Sequence, residues 1–204
     1  SMLKDQKTWA PKKFMGKELH CKTLGIVGLG RIGTIVAHRA KGFHMKVLVH
    51  DPFISKEYAE KVGVEVVDLP ELLKQSDYLS LHTPSLDGKP LLSTKEFSMA
   101  KPGIRIVNCA RGNLIDESAL IEAIKTKQVA QAALDVYVKE PLSPDSPLLN
   151  FDEIICTPHL GASTEEAQEK VAIAVANQIV DYLKNGNISN AVNMPSIDAD
   201  TLSK

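Results

Sequence analysis

The sequence predicts an α/β fold, a doubly wound parallel sheet of about seven strands in a single domain. Two observations predict it. Short apolar runs alternate along the chain with helical patterns, the arrangement of a parallel sheet covered on both faces. A glycine cluster, Gly28-Leu29-Gly30-Arg31-Ile32-Gly33, stands where the first run ends and the first helical pattern begins.

In order, residues 23–29 (TLGIVGL) read as a buried strand, followed by Ile32, Ile35, Val36 and Ala40 at helical spacing and a stop at Lys41-Gly42. Residues 46–50 (KVLVH) form a second strand and residues 64–67 (VEVV) a short third. Asp68-x-x-Glu71, with Pro70 in the first turn, opens a helix. Residues 78–82 and 104–110 are the fourth and fifth strands, and Asp116 starts a helix through Leu120, Ala123 and Ile124. Residues 130–136 and 153–157 are the sixth and seventh strands. Ser163-x-x-Glu166 reads as a capping box before a long helix bearing Ala167, Val171, Val175, Ile179 and Leu183, which Asn185-Gly186 ends. Pro141, Pro144 and Pro147 mark an irregular surface loop.

Apolar residues make up 44% of the 204, enough for a substantial core, and 24 basic against 25 acidic residues leave a net charge of −1. That balance points to neither nucleic acid nor an anionic membrane as partner. No apolar stretch approaches the ~20 residues that span a bilayer, and no secretory signal is visible. Three cysteines, Cys21, Cys109 and Cys156, form no even framework, so a reducing, cytoplasmic setting is expected. Cys156 and His159 have C-x-x-H spacing without a second ligand pair, so no metal is expected. The six lysines within the first 22 residues read as a solvated face, and the opening Ser1-Met2 as a cloning scar.

The glycine cluster has the context of a dinucleotide-binding turn. Gly28 permits the tight turn, Gly30 lets a pyrophosphate approach the backbone, and Gly33 lets helix and strand pack closely. The helix N-terminus offers N–H groups to the anion. Asp51, at the end of the second strand, can accept hydrogen bonds from a ribose 2′-hydroxyl and repels a 2′-phosphate, which favours NAD over NADP. His50 beside it could offer a 2′-phosphate a cation.

Three more residues follow strand ends. Arg111 can hold a substrate carboxylate through two parallel hydrogen bonds, and reads equally as a surface ion-pairing residue. Glu140 follows the sixth strand and His159 the seventh. If those strands are neighbours, the carboxylate can orient the imidazole and stabilise its charged form, giving the acid/base that carbonyl–alcohol interconversion needs. His159 alone reads equally as a loop histidine; His38 and His44 read as helix-surface residues. No G-x-S-x-G elbow and no G-x-x-x-x-G-K-[ST] loop occurs, which argues against a serine hydrolase and a P-loop nucleotide hydrolase.

With these residues in view, the chain from about Trp9 to Pro195 resembles the D-2-hydroxyacid dehydrogenases. The likeness rests on KTLGIVGLGRIG, HDP, HTP at 82–84, NCARG with LIDESAL, ALDVYVKEP and TPHLGAST. It implies a Rossmann-type NAD-binding domain, a small 2-hydroxy acid substrate and pairing into a homodimer. It also implies roles: Arg111 on the substrate carboxylate, Glu140 paired to His159, and His159 as acid/base. Cofactor contacts would fall on Arg31 and Ile32 at the pyrophosphate and Asp51 at the adenosine ribose. Others would fall on Thr83, Pro84, Cys109, Ala110, Asp135 near the nicotinamide carboxamide, Gly161 and Ala162.

Cys21 and the segment SLDGKPLL depart from the family pattern. The resemblance further implies that residues 1–16 lead in from a substrate domain, residues 17–186 bind the cofactor, and residues 187–204 return toward that substrate domain, most of which is expected to lie outside this chain. Other activities of the same family, of the glyoxylate, hydroxypyruvate or lactate type, stay open. So does an NAD-sensing corepressor-like scaffold on the same fold.

Overall fold

The structure is a computed structural model and describes residues 15–85 and 88–193. Most of the expected leader, the end of the expected tail from residue 194 onward, and Leu86 and Asp87 of the SLDGKPLL segment lie outside the described residues. The chain divides between Pro158 and His159 into two compact units.

The first unit carries seven parallel strands, β1 (Thr23–Val27), β2 (Lys46–His50), β3 (Glu65–Val66), β4 (Tyr78–Leu81), β5 (Ile104–Asn108), β6 (Val129–Leu134) and β7 (Ile154–Cys156). Their order in the sheet is β3-β2-β1-β4-β5-β6-β7. The order reverses between β1 and β4, and that switch point is where such sheets leave a crevice at the carboxyl ends of the strands. The register aligns those ends: Val27 pairs with both His50 and Leu81, Leu81 with Asn108, Asn108 with Leu134, and Leu134 with Cys156. Gly28, Asp51, His82, Cys109, Asp135 and Thr157 therefore leave the sheet along one edge. The strands read as residues 23–29, 104–110 and 130–136 stop short of those ranges because the chain turns out of the ladder at that edge.

Alternate strand residues feed two cores, as the period of two requires. On one face Leu24, Ile26, Val47 and Val49 pack with Ala37 and Ala40. On the other, Val27, Leu48, Leu79, Leu81 and Ile106 pack with Leu72, Leu120 and Ile124. Five helices connect the strands among the described residues of this unit: α1 (Arg31–Gly42), α2 (Lys56–Val62), α3 (Leu69–Gln75), α4 (Thr94–Met99) and α5 (Glu117–Lys125). Asp68 and Asp116 cap α3 and α5 by accepting the N–H groups of Glu71 and Ala119. The short helices α2 and α4 add to the elements read from the sequence. Ser55 caps the first, and Ser93 donates its N–H to Glu96 at the start of the second.

Helix α1 bears out Val36 and Ala40 of its expected apolar face, which meet the core, and corrects Ile32 and Ile35. Gly33, Ala37 and Ala40 are buried, whereas Ile32 is 61% and Ile35 53% exposed. The helix lies so close to the sheet that small residues must face it; a Cβ on Gly33 would come within 2.1 Å of the Gly28 carbonyl oxygen. His44 also differs: it sits past the end of α1 in a left-handed conformation, with its ring edge-on to His20 at 5.4 Å.

The second unit is built on α6 (Glu165–Asn185). Its N-cap is Thr164, which accepts the Ala167 N–H at 3.1 Å, one residue later than the Ser163 cap read from the sequence. Gly186, left-handed, ends the helix as expected. None of its residues is buried, including Val171, Val175, Ile179 and Leu183. No helix among the described residues is long and apolar enough to cross a membrane.

Candidate cofactor site

The glycine turn is held from both sides. Gly28 has φ +92°, a conformation that costs an L side chain dearly, and a Cβ there would meet the His82 carbonyl oxygen at 2.6 Å. The turn thus packs directly on the chain leaving β4. Its Gly28 N–H donates to the His50 carbonyl, and its Leu29 N–H to Asp51 Oδ2 at 2.7 Å. Gly30 caps α1 without any side chain, and nothing lies within 4 Å of where its Cβ would be. The first-turn N–H groups of Arg31, Ile32 and Gly33 therefore have no capping side chain over them, and a diphosphate can reach them.

Beside this turn lies a cavity of about 270 Å³. Val27, Pro52, Phe53, Pro84 and Leu91 give it apolar walls; Gly28, Gly30, His50, Asp51, His82 and Thr83 complete it. The Asp51 carboxylate is oriented by two backbone donors, Leu29 N–H on Oδ2 and Phe53 N–H on Oδ1 at 2.9 Å. A carboxylate has about four lone-pair sites, so acceptor capacity for a ribose diol remains. His50 turns its Nδ1 to the Val67 carbonyl at 3.2 Å. A carbonyl only accepts, so Nδ1 carries the proton there and the ring is tethered to the β3 side. His82 is hydrogen-bonded to Ser80 Oγ at 2.8 Å, and burial lowers its pKa, leaving it neutral. The residues thus fit an adenosine diphosphate half with a ribose 2′-hydroxyl.

The other half of the crevice edge carries Asn108, Cys109, Arg111 and Asp135. Asn108, buried at the end of β5, shapes the next turn: its Nδ2 donates to the Arg111 carbonyl and its Oδ1 accepts the Ala110 N–H. Arg111 is exposed and donates through Nη1 to the Ala110 carbonyl at 2.6 Å. Asp135 is buried, with its N–H on the Asn108 carbonyl and its Oδ1 accepting the Thr157 hydroxyl at 2.5 Å. Burial, and then the Asp135 charge, raise the pKa of the Cys109 thiol, so it stays protonated.

Glu140 Oε1 accepts the Tyr137 N–H at 3.0 Å. Tyr137 is buried and its hydroxyl lies 3.0 Å from the Leu134 carbonyl and 2.9 Å from that of Thr157, tying the end of β6 to the end of β7. Burial, reinforced by a hydrogen bond to Cys156, pushes its pKa well above the usual phenol value. His159, Gly161 and Ala162 open the second unit. There His159 adopts φ +56°, and the Ala162 carbonyl accepts from Gln168 Nε2 at 3.3 Å.

Asn108, Gly112, Tyr137 and Thr157 were not singled out from the sequence. Asn108 carries the one signal that could have marked it, an asparagine where a buried strand gives way to a turn.

The profile of the family described as "D-isomer specific 2-hydroxyacid dehydrogenase, NAD binding domain" matches residues 1–161. D-3-phosphoglycerate dehydrogenase of Archaeoglobus fulgidus is 51% identical over 191 residues, 93% of this chain and 36% of that protein. The enzyme of the same name from Synechocystis is 48% identical over 197 residues, 96% of this chain and 35% of that protein. The crystal structure of a glyoxylate reductase from Paecilomyes thermophila superposes with a TM-score of 0.81 at 37% identity, covering 88% of this chain and 54% of that one. The chain thus spans about a third of the length of these two curated relatives. The glycine turn, the Asp51 carboxylate and the aligned strand ends agree with the family profile: the chain belongs to the D-isomer specific 2-hydroxyacid dehydrogenases, and what it carries is their NAD binding domain.

Proposed function

We propose that the protein carrying this chain oxidises 3-phospho-D-glycerate to 3-phosphohydroxypyruvate, the step that opens phosphorylated serine biosynthesis. The observation that carries this reading is 43–51% identity, over 93–96% of the chain, to eight proteins named D-3-phosphoglycerate dehydrogenase. NAD, when bound, supplies the hydride acceptor at C4 of its nicotinamide. Arg111 holds the substrate carboxylate by a bidentate pair, which fixes the carbinol carbon. His159 takes the hydroxyl proton on a ring nitrogen as the carbon loses its hydride, and gives it back in the reverse direction. Glu140 stabilises the charged imidazole. Asp135 serves the carboxamide end of the cofactor. Thr83, Pro84, Cys109, Ala110, Gly161 and Ala162 would be further residues holding it.

The protein works as a homodimer in the cytoplasm. The exposed apolar residues of α6 support the pairing, and the absence of any cysteine pair among Cys21, Cys109 and Cys156 fits a reducing compartment. Light scattering that gave a monomer at high concentration would remove the dimer.

A kinetic screen of hydroxy acids with NAD and NADP on the full-length protein tests the substrate. The likeness to a glyoxylate reductase keeps a second reading in the screen. Preference for glyoxylate or hydroxypyruvate over the phosphorylated acid would replace the first reading with it. No turnover of any hydroxy acid would leave the NAD-sensing scaffold.

A further inference from the structure

The loop that carries Glu140 is fastened to the turn that carries Arg111, and one side chain outside both completes the fastening. Glu117, in the first turn of α5, accepts the Val138 N–H on Oε1 at 2.9 Å, across 21 residues of sequence. The next link is internal to the loop: the Tyr137 N–H donates to Glu140 Oε1. The third is steric. Gly112 lies against the Tyr137 backbone so closely that a Cβ there would come within 1.9 Å of its carbonyl carbon and oxygen.

An acidic residue in the first turn of a helix has a simpler use, since it complements the helix dipole. Here that end is already capped by Asp116, which accepts the Ala119 N–H. Glu117 instead directs an oxygen at a loop amide that no strand ladder serves. Two consecutive N–H groups, of Tyr137 and Val138, are thereby taken by two carboxylates, Glu140 and Glu117, and the backbone between them sits against Gly112.

We propose that Glu117 is a positioning residue for the reaction: by holding the Val138 amide it sets where the Glu140 carboxylate stands relative to Arg111. The inference rests on the catalytic roles proposed above for those two residues, and on geometry that lies wholly within the first unit.

The test uses full-length protein with Glu117→Ala, Glu117→Gln and, should the first fail to fold, Glu117→Asp. Glutamine keeps an oxygen for the Val138 N–H but carries no charge, so it separates the hydrogen bond from the helix dipole. Hydrogen exchange read by mass spectrometry should show residues 137–140 exchanging at least tenfold faster in Glu117→Ala or Glu117→Asp and near wild-type rates in Glu117→Gln. With 3-phosphoglycerate and NAD, kcat should fall about tenfold in the alanine variant with KM for NAD unchanged. Glutamine should restore kcat. Unchanged exchange at residues 137–140, or wild-type kcat in the alanine variant, would overturn the proposal. A wild-type protein that oxidises no hydroxy acid would instead strike at the substrate reading, and the exchange measurement would still decide whether Glu117 holds the loop.

Discussion

Asp51 and Leu29 are joined across two loops: the carboxylate at the end of β2 accepts the amide of the glycine turn at 2.7 Å while its other oxygen accepts the Phe53 N–H. The residue that suits a ribose hydroxyl therefore also shapes the turn that suits the diphosphate. Asp51→Ala removes both effects. Hydrogen bonds to a charged group are worth roughly 1.5–3 kcal/mol each, so calorimetry should find NAD binding weaker by about 10- to 100-fold. Asp51→Asn keeps an acceptor oxygen and should lose less. Unchanged affinity in Asp51→Ala would mean that the ribose lies elsewhere.

Gly33→Ala tests the close approach of α1. The added methyl would sit 2.1 Å from the Gly28 carbonyl oxygen, a backbone atom that cannot swing away. Overpacking of this kind costs about 1–3 kcal/mol, and here it also pushes on the turn. Urea unfolding should show the loss of stability, accompanied by weakened NAD binding. A variant as stable as the parent would show that helix and strand can separate at no cost.

Lys101 and Asp77 give a stability that depends on pH. Burial alone would raise the Asp77 carboxyl, but hydrogen bonds from Lys101 Nζ at 2.7 Å and Thr23 N–H at 2.9 Å outweigh it and hold its pKa below the ordinary value. A carboxyl depressed in the folded state contributes above its unfolded pKa of about 4 and loses that contribution as pH falls through the folded value. Lys101→Met should therefore be less stable than the parent at pH 7. The gap should narrow below about pH 4 and close once Asp77 is protonated in both states. Thermal melts across pH 2–7 measure it, and a gap that stays constant would rule out the carboxylate as its source.

At the start of α6 the two adjacent hydroxyl residues should differ. Thr164→Ala removes the side chain that accepts the Ala167 N–H and should cost about 1 kcal/mol, read from the helix signal in circular dichroism on heating. Ser163→Ala should cost little, because Ser163 lies outside the cap. The reverse order would return the cap to Ser163.

The strands were legible because a parallel strand covered on both faces must be apolar almost throughout. TLGIV, KVLVH, YLSL and IRIVN declare themselves without help from the rest of the chain. The long helix was legible from its caps to within one residue. Of the α1 stripe, Val36 and Ala40 do meet the core, whereas Ile32 and Ile35 do not: large apolar residues are the usual mark of a buried stripe, and here the sheet comes too close to admit them. The helices at Lys56–Val62 and Thr94–Met99 are seven and six residues long, too short for a periodic pattern to stand out.

By its own composition and spacing the sequence determined an alternating α/β chain, a glycine turn of the dinucleotide-binding pattern at Gly28–Gly33 and an acidic residue at the end of the second strand. Those features are local: each depends on residues within a few positions of one another. Only the tertiary structure decided that Asp51 reaches back 22 residues to Leu29 and that Glu117 holds the amide of Val138, 21 residues on. The physical reason is the parallel register. It brings the carboxyl ends of β1, β2, β4, β5, β6 and β7 to one edge, and side chains far apart in the chain must satisfy one another's backbone groups there.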